Sequence, residues 1–303
     1  MPGADEIRSR INGIQETKKI TDAMYMISSA KMQKALRNLD SSAPYFEALT
    51  ARIGELVQLS PKSDSPYFRK PKSGTERVHG ILLIVSDKGL AGVYNQEAIR
   101  VCQSYMRKHS RCKVYILGEY GRQFFLKQKL NFEESFHFSA AMPSLPLARQ
   151  LSTRLLTAYR NDVVDDIHII YTDYIGKTPG VCRELTLLPL SRTAFPVSDR
   201  APVDREFVPS YEAVLNGVIP SYLTGFVYGC LVESYCSEQQ ARMNAMKSAS
   251  DNAESLLKEL KNQYNKLRQS AITNEMIEIA AGAQARKRRR QIAVGGEKDA
   301  GTY

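Results

Sequence analysis

The last third of this chain carries one helical pattern that is too long for an ordinary globular domain. Beyond Pro220 the sequence contains no proline, and small or apolar residues return about once per helical turn. The members of this stripe are Met246, Ala249, Ala253, Leu256, Leu260, Tyr264, Leu267 and Ala271. A single helix from Ser221 to Arg286 would extend roughly 100 Å, which is longer than an ordinary domain is wide.

A second helical pattern opens the chain and covers residues 5–59, with one proline at Pro44. Its apolar positions are Ile7, Ile11, Ile14, Ile20, Met24 and Ile27. The chain leaves this segment for a compact insertion and then returns, so we expect the two long helices to pair as an antiparallel coiled coil. Their many alanines bury little apolar area, and burial contributes only roughly 25 cal/mol of stabilisation per Å². We therefore expect a slim rod that other proteins enclose.

The insertion between the helices has a different pattern. Residues 60–77 concentrate Pro, Ser and Lys and predict an exposed connection. After them, the short apolar runs HGILLIVSD, KVYILG, DIHIIYTDY and ELTLLPL alternate with helical segments, which predicts a Rossmann-like α/β domain with a mainly parallel sheet. The predicted segments are a shaft helix (1–59), a connection (60–77), the α/β domain (78–210), a second shaft helix (211–286) and a basic, disordered tail (287–303).

The charge of the chain narrows the class of partner. The formal net charge is +10, which favours anionic partners such as nucleic acid, lipid headgroups or an acidic protein surface. Half of this excess comes from the single run Arg286–Arg290. The helices mix both signs of charge elsewhere, so a basic coiled-coil scaffold for nucleic acid ranks last among the possible functions.

The sequence predicts no membrane span and no metal centre. The longest wholly apolar run, Ile81–Val85, is far shorter than the roughly 20 residues that cross a bilayer. Residues 1–30 lack the apolar core of a signal peptide and show no transit peptide, so we expect the chain to stay where it is made. The five cysteines form no C-x-x-C pair and are expected to be inert thiols.

Candidate chemistry along the chain is sparse. The four histidines, His79, His109, His137 and His168, are scattered and carry no nucleophile or metal-ligand spacing, so no catalytic or metal role is expected. The segment Ser86–Asn95 contains two glycines after a strand, which could bind phosphate at a helix N-terminus. It matches neither of the nucleotide-binding patterns G-x-x-x-x-G-K-[ST] and G-x-G-x-x-G, so it favours a tight turn. A nucleotide-dependent α/β enzyme with helical arms remains the first alternative.

Three separate blocks resemble a known family. Ser237–Ala285 contains ARMNAM, YNKLRQSAITNE and EIAAGAQA; Ile7–Ala35 contains RINGIQETKKITDAMYM; and Ser86–Asn95 reads SDKGLAGVYN. Their order and content resemble the gamma subunit of F-type ATP synthases. The sequence departs from the usual motifs in three places, with Lys88 for Arg, Ala91 for Cys and Asp22 where Lys is common.

The resemblance implies a rotor shaft that performs no chemistry itself. Such a shaft couples ion flow through the membrane sector to ATP synthesis, or the reverse hydrolysis, at a ring of alpha and beta subunits. The implied partners are alpha, beta, epsilon and the membrane c-ring, with one copy of this chain per complex, no nucleic acid and no cofactor. The implied location is the cytoplasmic face of a bacterial inner or plasma membrane, with membrane contact only through the ring.

The resemblance also assigns roles to individual positions, because they fall within its motifs. The positions expected to contact the beta subunit are Met24, Arg268, Gln269, Thr273 and Glu275. The positions expected near the rotor ring are Lys31, Lys34, Phe207 and Pro209. No residue is assigned to catalysis, to a cofactor or to a metal.

Overall fold

A computed structural model describes residues 2–59, 65–69, 77–176, 180–195, 207–208 and 210–296. Side chains are described from Asp5 to Arg286 within these ranges. The chain divides into two compact units: a terminal unit, formed by the residues up to Ala23 and those from Lys247, and an α/β unit, Met24–Met246.

Helices and strands follow the order expected from the sequence. They are α1 (Pro2–Leu59), β1 (His79–Ile84), α2 (Tyr94–Lys108), β2 (Cys112–Leu117), α3 (Glu119–Lys127), α4 (Leu145–Arg160), β3 (Asp166–Thr172), β4 (Cys182–Leu188) and α5 (Tyr211–Gly296). Short 3₁₀ helices occupy Pro66–Phe68 and Arg192–Ala194. α5 continues ten residues beyond Arg286, where the sequence led us to expect a disordered tail; residues 297–303 lie outside the described part of the chain.

In the terminal unit, the first turns of α1 pair with the second half of α5. The Ser250 hydroxyl donates a hydrogen bond of 2.6 Å to the Asp22 carboxylate, and Lys18 Nζ lies 3.4 Å from Glu254 Oε2. A step backwards along α1 therefore matches a step forwards along α5, so the two helices run antiparallel. Asp22, one of the unusual residues in its motif, serves here as a bridge between the helices.

The buried stripe of α5 differs from the sequence stripe at Ala249, Leu256 and Leu267. Met246, Ser250, Ala253 and Leu257 are buried, whereas Leu256 is 48% exposed and Leu267 is 43% exposed. The buried spacing alternates between four and three residues, as in a coiled-coil seam that repeats every 3.5 residues. A stripe assigned from the sequence at 3.6 residues per turn drifts relative to a seam that repeats every 3.5 residues. The sequence stripe therefore includes Leu256, whereas the structure buries Leu257.

The α/β unit contains a four-stranded sheet in the order β2-β1-β3-β4. β1 pairs in parallel with β2 and β3, while β4 is antiparallel to β3. Both central strands, β1 and β3, are buried along their whole length. Helices on both faces cover such strands, which is why they read as continuous apolar runs instead of alternating ones.

The two faces of the sheet pack against different helices. Leu82 and Ile84 belong to a core that includes α4 and the first half of α5, whereas Ile81 and Leu83 pack with α2 and α3. This alternation follows from the two-residue period of a strand. The sheet thus fixes α5 on one side and leaves α2 and α3 on the other.

The second half of α1 and the first half of α5 are also antiparallel in this unit. The Tyr211 hydroxyl donates to the Leu56 carbonyl, while Cys236 Sγ lies 4.0 Å from the Met32 carbonyl. One 18-residue window within Tyr211–Arg286 reaches a mean hydropathy of 1.3, enough by length and composition to cross a bilayer. Half of this window is buried inside the protein, and buried core helices give the same signal.

Candidate interaction surfaces on the long helices

The motif positions in the second half of α5 are all exposed to solvent. These positions are Arg268, Gln269, Thr273 and Glu275. Arg268 and Glu275 are seven residues apart and share one face of the helix with Ile272 and Ile279, whereas Gln269 and Thr273 occupy the neighbouring face. The only described hydrogen bond among them is local, from the Thr273 hydroxyl to the Gln269 carbonyl at 2.9 Å. The side chains of Arg268, Gln269 and Glu275 are therefore exposed and could contact another protein.

The same end of α5 exposes large apolar side chains. Ile272, Met276, Ile277 and Ile279 are all exposed, with Ile279 reaching 68%. Among the side chains described between Ile272 and Arg286, none is buried. An amphipathic helix normally turns its apolar stripe towards a core. This segment, which we call the apolar tip (residues 272–286), has no core of its own to face.

Met24 lies in a different environment within the α/β unit. It is half-buried and borders a cleft of about 380 Å³ that is also lined by Lys31, Glu238 and Arg242. The other wall of this cleft is the segment Asp87–Leu90. Met24 is therefore within reach of solvent but is fixed beside the loop that follows β1.

That loop, Ser86–Asn95, is a turn from strand to helix, as the sequence favours. Leu90 and Gly92 adopt positive φ angles of 65° and 56°, which glycine accepts readily and leucine rarely. The Ser86 backbone N–H donates to the Asn95 side chain at 2.9 Å. This bond joins the end of β1 to the start of α2, so the motif's side chains are used to close the turn.

Asp87 in this loop joins three parts of the α/β unit. One carboxylate oxygen, Oδ1, accepts the backbone N–H groups of Glu119, at 3.0 Å, and Ala140, at 3.1 Å. The Ser139 hydroxyl donates to the other oxygen at 2.5 Å. A carboxylate at the first residue of α3 also complements the helix dipole. The acidic residue of the motif is therefore structural here.

The loop is tied to α5 by a buried ion pair. Arg242 donates to Glu238 at 2.6 Å and to the carbonyls of Lys88, at 3.4 Å, and Gly89, at 3.2 Å. Burial raises the pKa of Glu238 above its ordinary value of 4.5, against the opposing effect of Arg242. Since Arg242 binds the backbone of Lys88, replacing the motif's usual arginine by Lys88 leaves this connection intact.

The positions expected near the rotor ring do not lie together. Lys31 and Lys34 are exposed on α1, and Lys31 borders the cleft beside Met24. Phe207 packs edge-on against Tyr211, with 5.6 Å between ring centroids, and Tyr211 bonds Leu56. Lys34 precedes Leu56 by roughly six helical turns, or about 30 Å along α1. Pro209 lies outside the described residues.

Comparison with known proteins shows the family of this chain. A family model described as "ATP synthase" matches residues 3–285. An ATP synthase gamma chain from Acetivibrio thermocellus is 34% identical over 295 residues, covering 95% of this chain and all of that protein. The chain belongs to the ATP synthase gamma-chain family. A second gamma chain, from Caldanaerobacter subterraneus, is also 34% identical and covers 93% of this chain and 99% of that protein.

Solved structures agree with the gamma-chain fold. A chain from the Euglena gracilis mitochondrial ATP synthase (OSCP/F1/c-ring, rotational state 3) matches with a TM-score of 0.61 at 16% identity and covers 94% of both chains. A chain from the Tetrahymena thermophila mitochondrial ATP synthase central stalk and c-ring matches with a TM-score of 0.57 at 21% identity and covers 76% of this chain and 99% of that one. These likenesses concern the fold.

Membership of the gamma-chain family confirms the resemblance seen in the sequence. The chain is the non-catalytic rotor subunit of an F-type ATP synthase and is part of the membrane-associated complex. The Rossmann-like domain inserted between two long helices is the fold expected from the sequence. The subunit itself makes no ATP.

One group of residues is missed by the sequence. His79, His109 and His168 lie close together, with ring centroids 4.2 Å apart for His79 and His109 and 6.0 Å apart for His79 and His168. The expectation that the histidines are scattered is therefore wrong for three of the four. Only the pairing of β1 with β3 could have indicated this cluster, because His79 and His168 are distant in the sequence.

Proposed function

We propose that the apolar tip and the Arg268–Glu275 segment of α5 turn inside a ring of alpha and beta subunits. The observation that carries this proposal is the exposure of Ile272, Met276 and Ile279 on one stripe of a helix with no buried residue among its described side chains from 272 to 286. Contiguous exposed apolar surface marks a site of protein contact. A surrounding ring would cover the tip on every side.

Torque transfer follows from the unequal faces of this segment. One face presents Arg268 and Glu275 beside Ile272, while the neighbouring face presents Gln269 and Thr273. As the helix turns, each beta subunit in the ring meets a different face in sequence. The conformation of lowest free energy for that subunit changes accordingly, because a binding surface shifts an equilibrium by its differential affinity. Met24, half-buried on α1, supplies a further contact to beta.

The remaining partners contact the α/β unit. We assign Phe207, together with its neighbour Pro209, to the c-ring contact, on the strength of the sequence motif. We assign Lys31 and Lys34, both exposed on α1, to the same ring contact on the strength of the sequence motif, and Lys31 also borders the cleft near Glu238. The epsilon subunit completes the rotor, with one copy of this chain per complex, on the cytoplasmic face of a bacterial membrane.

The test is ATP turnover of the assembled complex. Arg268→Ala and Gln269→Ala, each in the full chain assembled with alpha and beta subunits, should lower ATP hydrolysis by roughly tenfold, equivalent to about 1.4 kcal/mol. Gln263→Ala, an exposed change on the same helix, is the control. The melting temperature of the purified chain should be unchanged in all three variants, since exposed side chains are removed. Wild-type turnover in both motif variants would contradict the proposal.

A further inference from the structure

The buried polar cluster at the amino-terminal end of the sheet has the composition of a metal site. His79 is the first residue of β1 and Asp166 is the first residue of β3, and the two are register partners in the parallel pair. Paired residues on neighbouring strands project to the same face, and His168, two residues beyond Asp166, shares it. All three side chains are buried.

The donor atoms of these three residues are already close to metal-ligand spacing. His79 Nδ1 lies 3.0 Å from Asp166 Oδ1, and His168 Nε2 lies 3.3 Å from the same oxygen. One donor atom from each residue falls within 4.8 Å of the others. Zinc bonds of about 2.0–2.1 Å in tetrahedral geometry place ligand atoms roughly 3.3 Å apart. Small side-chain movements would therefore suffice to bind an ion.

A second observation points to a ligand at this position. The buried His168 Nε2 makes no well-directed hydrogen bond to any described residue, in spite of its proximity to Asp166. A buried nitrogen without a hydrogen-bond partner is unfavourable, and a cation that accepts its lone pair would remove this penalty. The other ring nitrogen, Nδ1, lies 3.3 Å from Glu184 Oε1. A carboxylate behind a ligating imidazole fixes its orientation and strengthens it as a ligand.

We propose that His79, Asp166 and His168 form a binding site for a divalent transition metal of the zinc type, which joins β1 to β3. Two imidazoles and one carboxylate are a donor set that suits zinc, with water as the fourth ligand. The Tyr105 hydroxyl lies 3.1 Å from His79 Nδ1, so a metal bound at this nitrogen would displace it. Arg77 forms an ion pair with Asp166 Oδ2, and its positive charge weakens the binding of a metal cation there.

The experiment uses the full chain without a histidine tag. Equilibrium dialysis against Zn²⁺, followed by metal analysis, should give one ion per chain, and Co²⁺ should give the visible spectrum of a tetrahedral site without a thiolate charge-transfer band. His168→Gln should weaken binding by at least about 100-fold, and Glu184→Gln by about 10- to 100-fold. His137→Gln, which changes an exposed histidine outside the cluster, should leave the affinity unchanged.

Arg77→Gln separates a metal site from a simple ion-pair network. Removal of its charge should tighten Zn²⁺ binding, whereas a network without metal would only lose stability. Absence of stoichiometric Zn²⁺ in the wild-type chain would overturn the proposal, as would a thiolate band that assigns the ion to cysteines. The wild-type measurements decide the matter even if His168→Gln fails to fold. They are independent of the rotor function, because they need no other subunit.

Discussion

Gly225 and Gly229 lie one turn apart on α5 but meet different surroundings. A Cβ added to Gly225 would overlap the ring of Phe46 on α1, whereas one added to Gly229 would meet no described atom within 4 Å. The absence of a side chain at Gly225 therefore lets α5 approach α1 closely at Phe46. Elsewhere on the chain burial also controls chemistry at single residues, as it raises the pKa of Cys102 to about 12 and keeps that thiol inert.

We expect the two glycines to respond to alanine with opposite signs. Gly225→Ala should destabilise the chain by about 1–3 kcal/mol, because overpacking forces the Phe46 ring or the helix to move. Gly229→Ala should stabilise it by about 0.5–1 kcal/mol, since alanine loses less backbone entropy in a helix. Denaturant unfolding of the full chain measures both. Equal effects of the two changes would show that Phe46 does not limit the helix approach.

Among the elements, the buried pair Glu238–Arg242 connects α5 to the loop after β1. Burial raises the folded-state pKa of Glu238, so the folded chain holds the proton more tightly than the unfolded chain. The stability from this group is then fully present below about pH 4.5 and is lost as the pH rises through the folded pKa. At neutral pH the buried, ionised carboxylate lowers the free energy of unfolding, and Arg242 offsets this loss only in part.

The matching prediction concerns Glu238→Gln, which keeps the shape of the side chain but cannot ionise. The melting temperature of the wild-type chain relative to this variant should fall as the pH rises from about 4.5 towards neutrality. Thermal unfolding at a series of pH values measures the difference, with Glu259→Gln, an exposed change on the same helix, as the control. A difference that grows in favour of the wild type with rising pH would reverse the assigned sign.

Local patterns are enough to predict most elements, because helices and strands bury residues with fixed periods. The runs HGILLIVSD and DIHIIYTDY became the buried central strands, and the two proline-poor segments became α1 and α5. What local patterns lack is long-range register. Which of Leu256 and Leu257 is buried depends on the partner helix. The proximity of His79 to His168 depends on how β1 pairs with β3. The distance of Lys34 from Phe207 depends on where Tyr211 contacts α1.

The gamma chain leaves part of its apolar surface outside its own core. The α/β unit is held by a core on both faces of its sheet. The apolar tip contributes no buried side chain among those described from 272 to 286, so we expect changes in its apolar residues to cost the fold little. An exposed apolar stripe is a cost in the isolated chain, because it favours self-association. This cost is consistent with the proposal that other subunits enclose the stripe.

The combined variant Ile272→Gln, Met276→Gln and Ile279→Gln tests this division. The helix content should be unchanged and the free energy of unfolding should move by no more than about 0.5 kcal/mol per site, since no packing is lost. Light scattering of the isolated chain should show less self-association, while ATP turnover of the assembled complex should fall. Asn274→Gln with Glu278→Gln, two exposed polar changes on the same segment, is the control. If the triple variant instead unfolds more easily and the complex retains full turnover, the tip serves the fold and the ring does not depend on its apolar stripe.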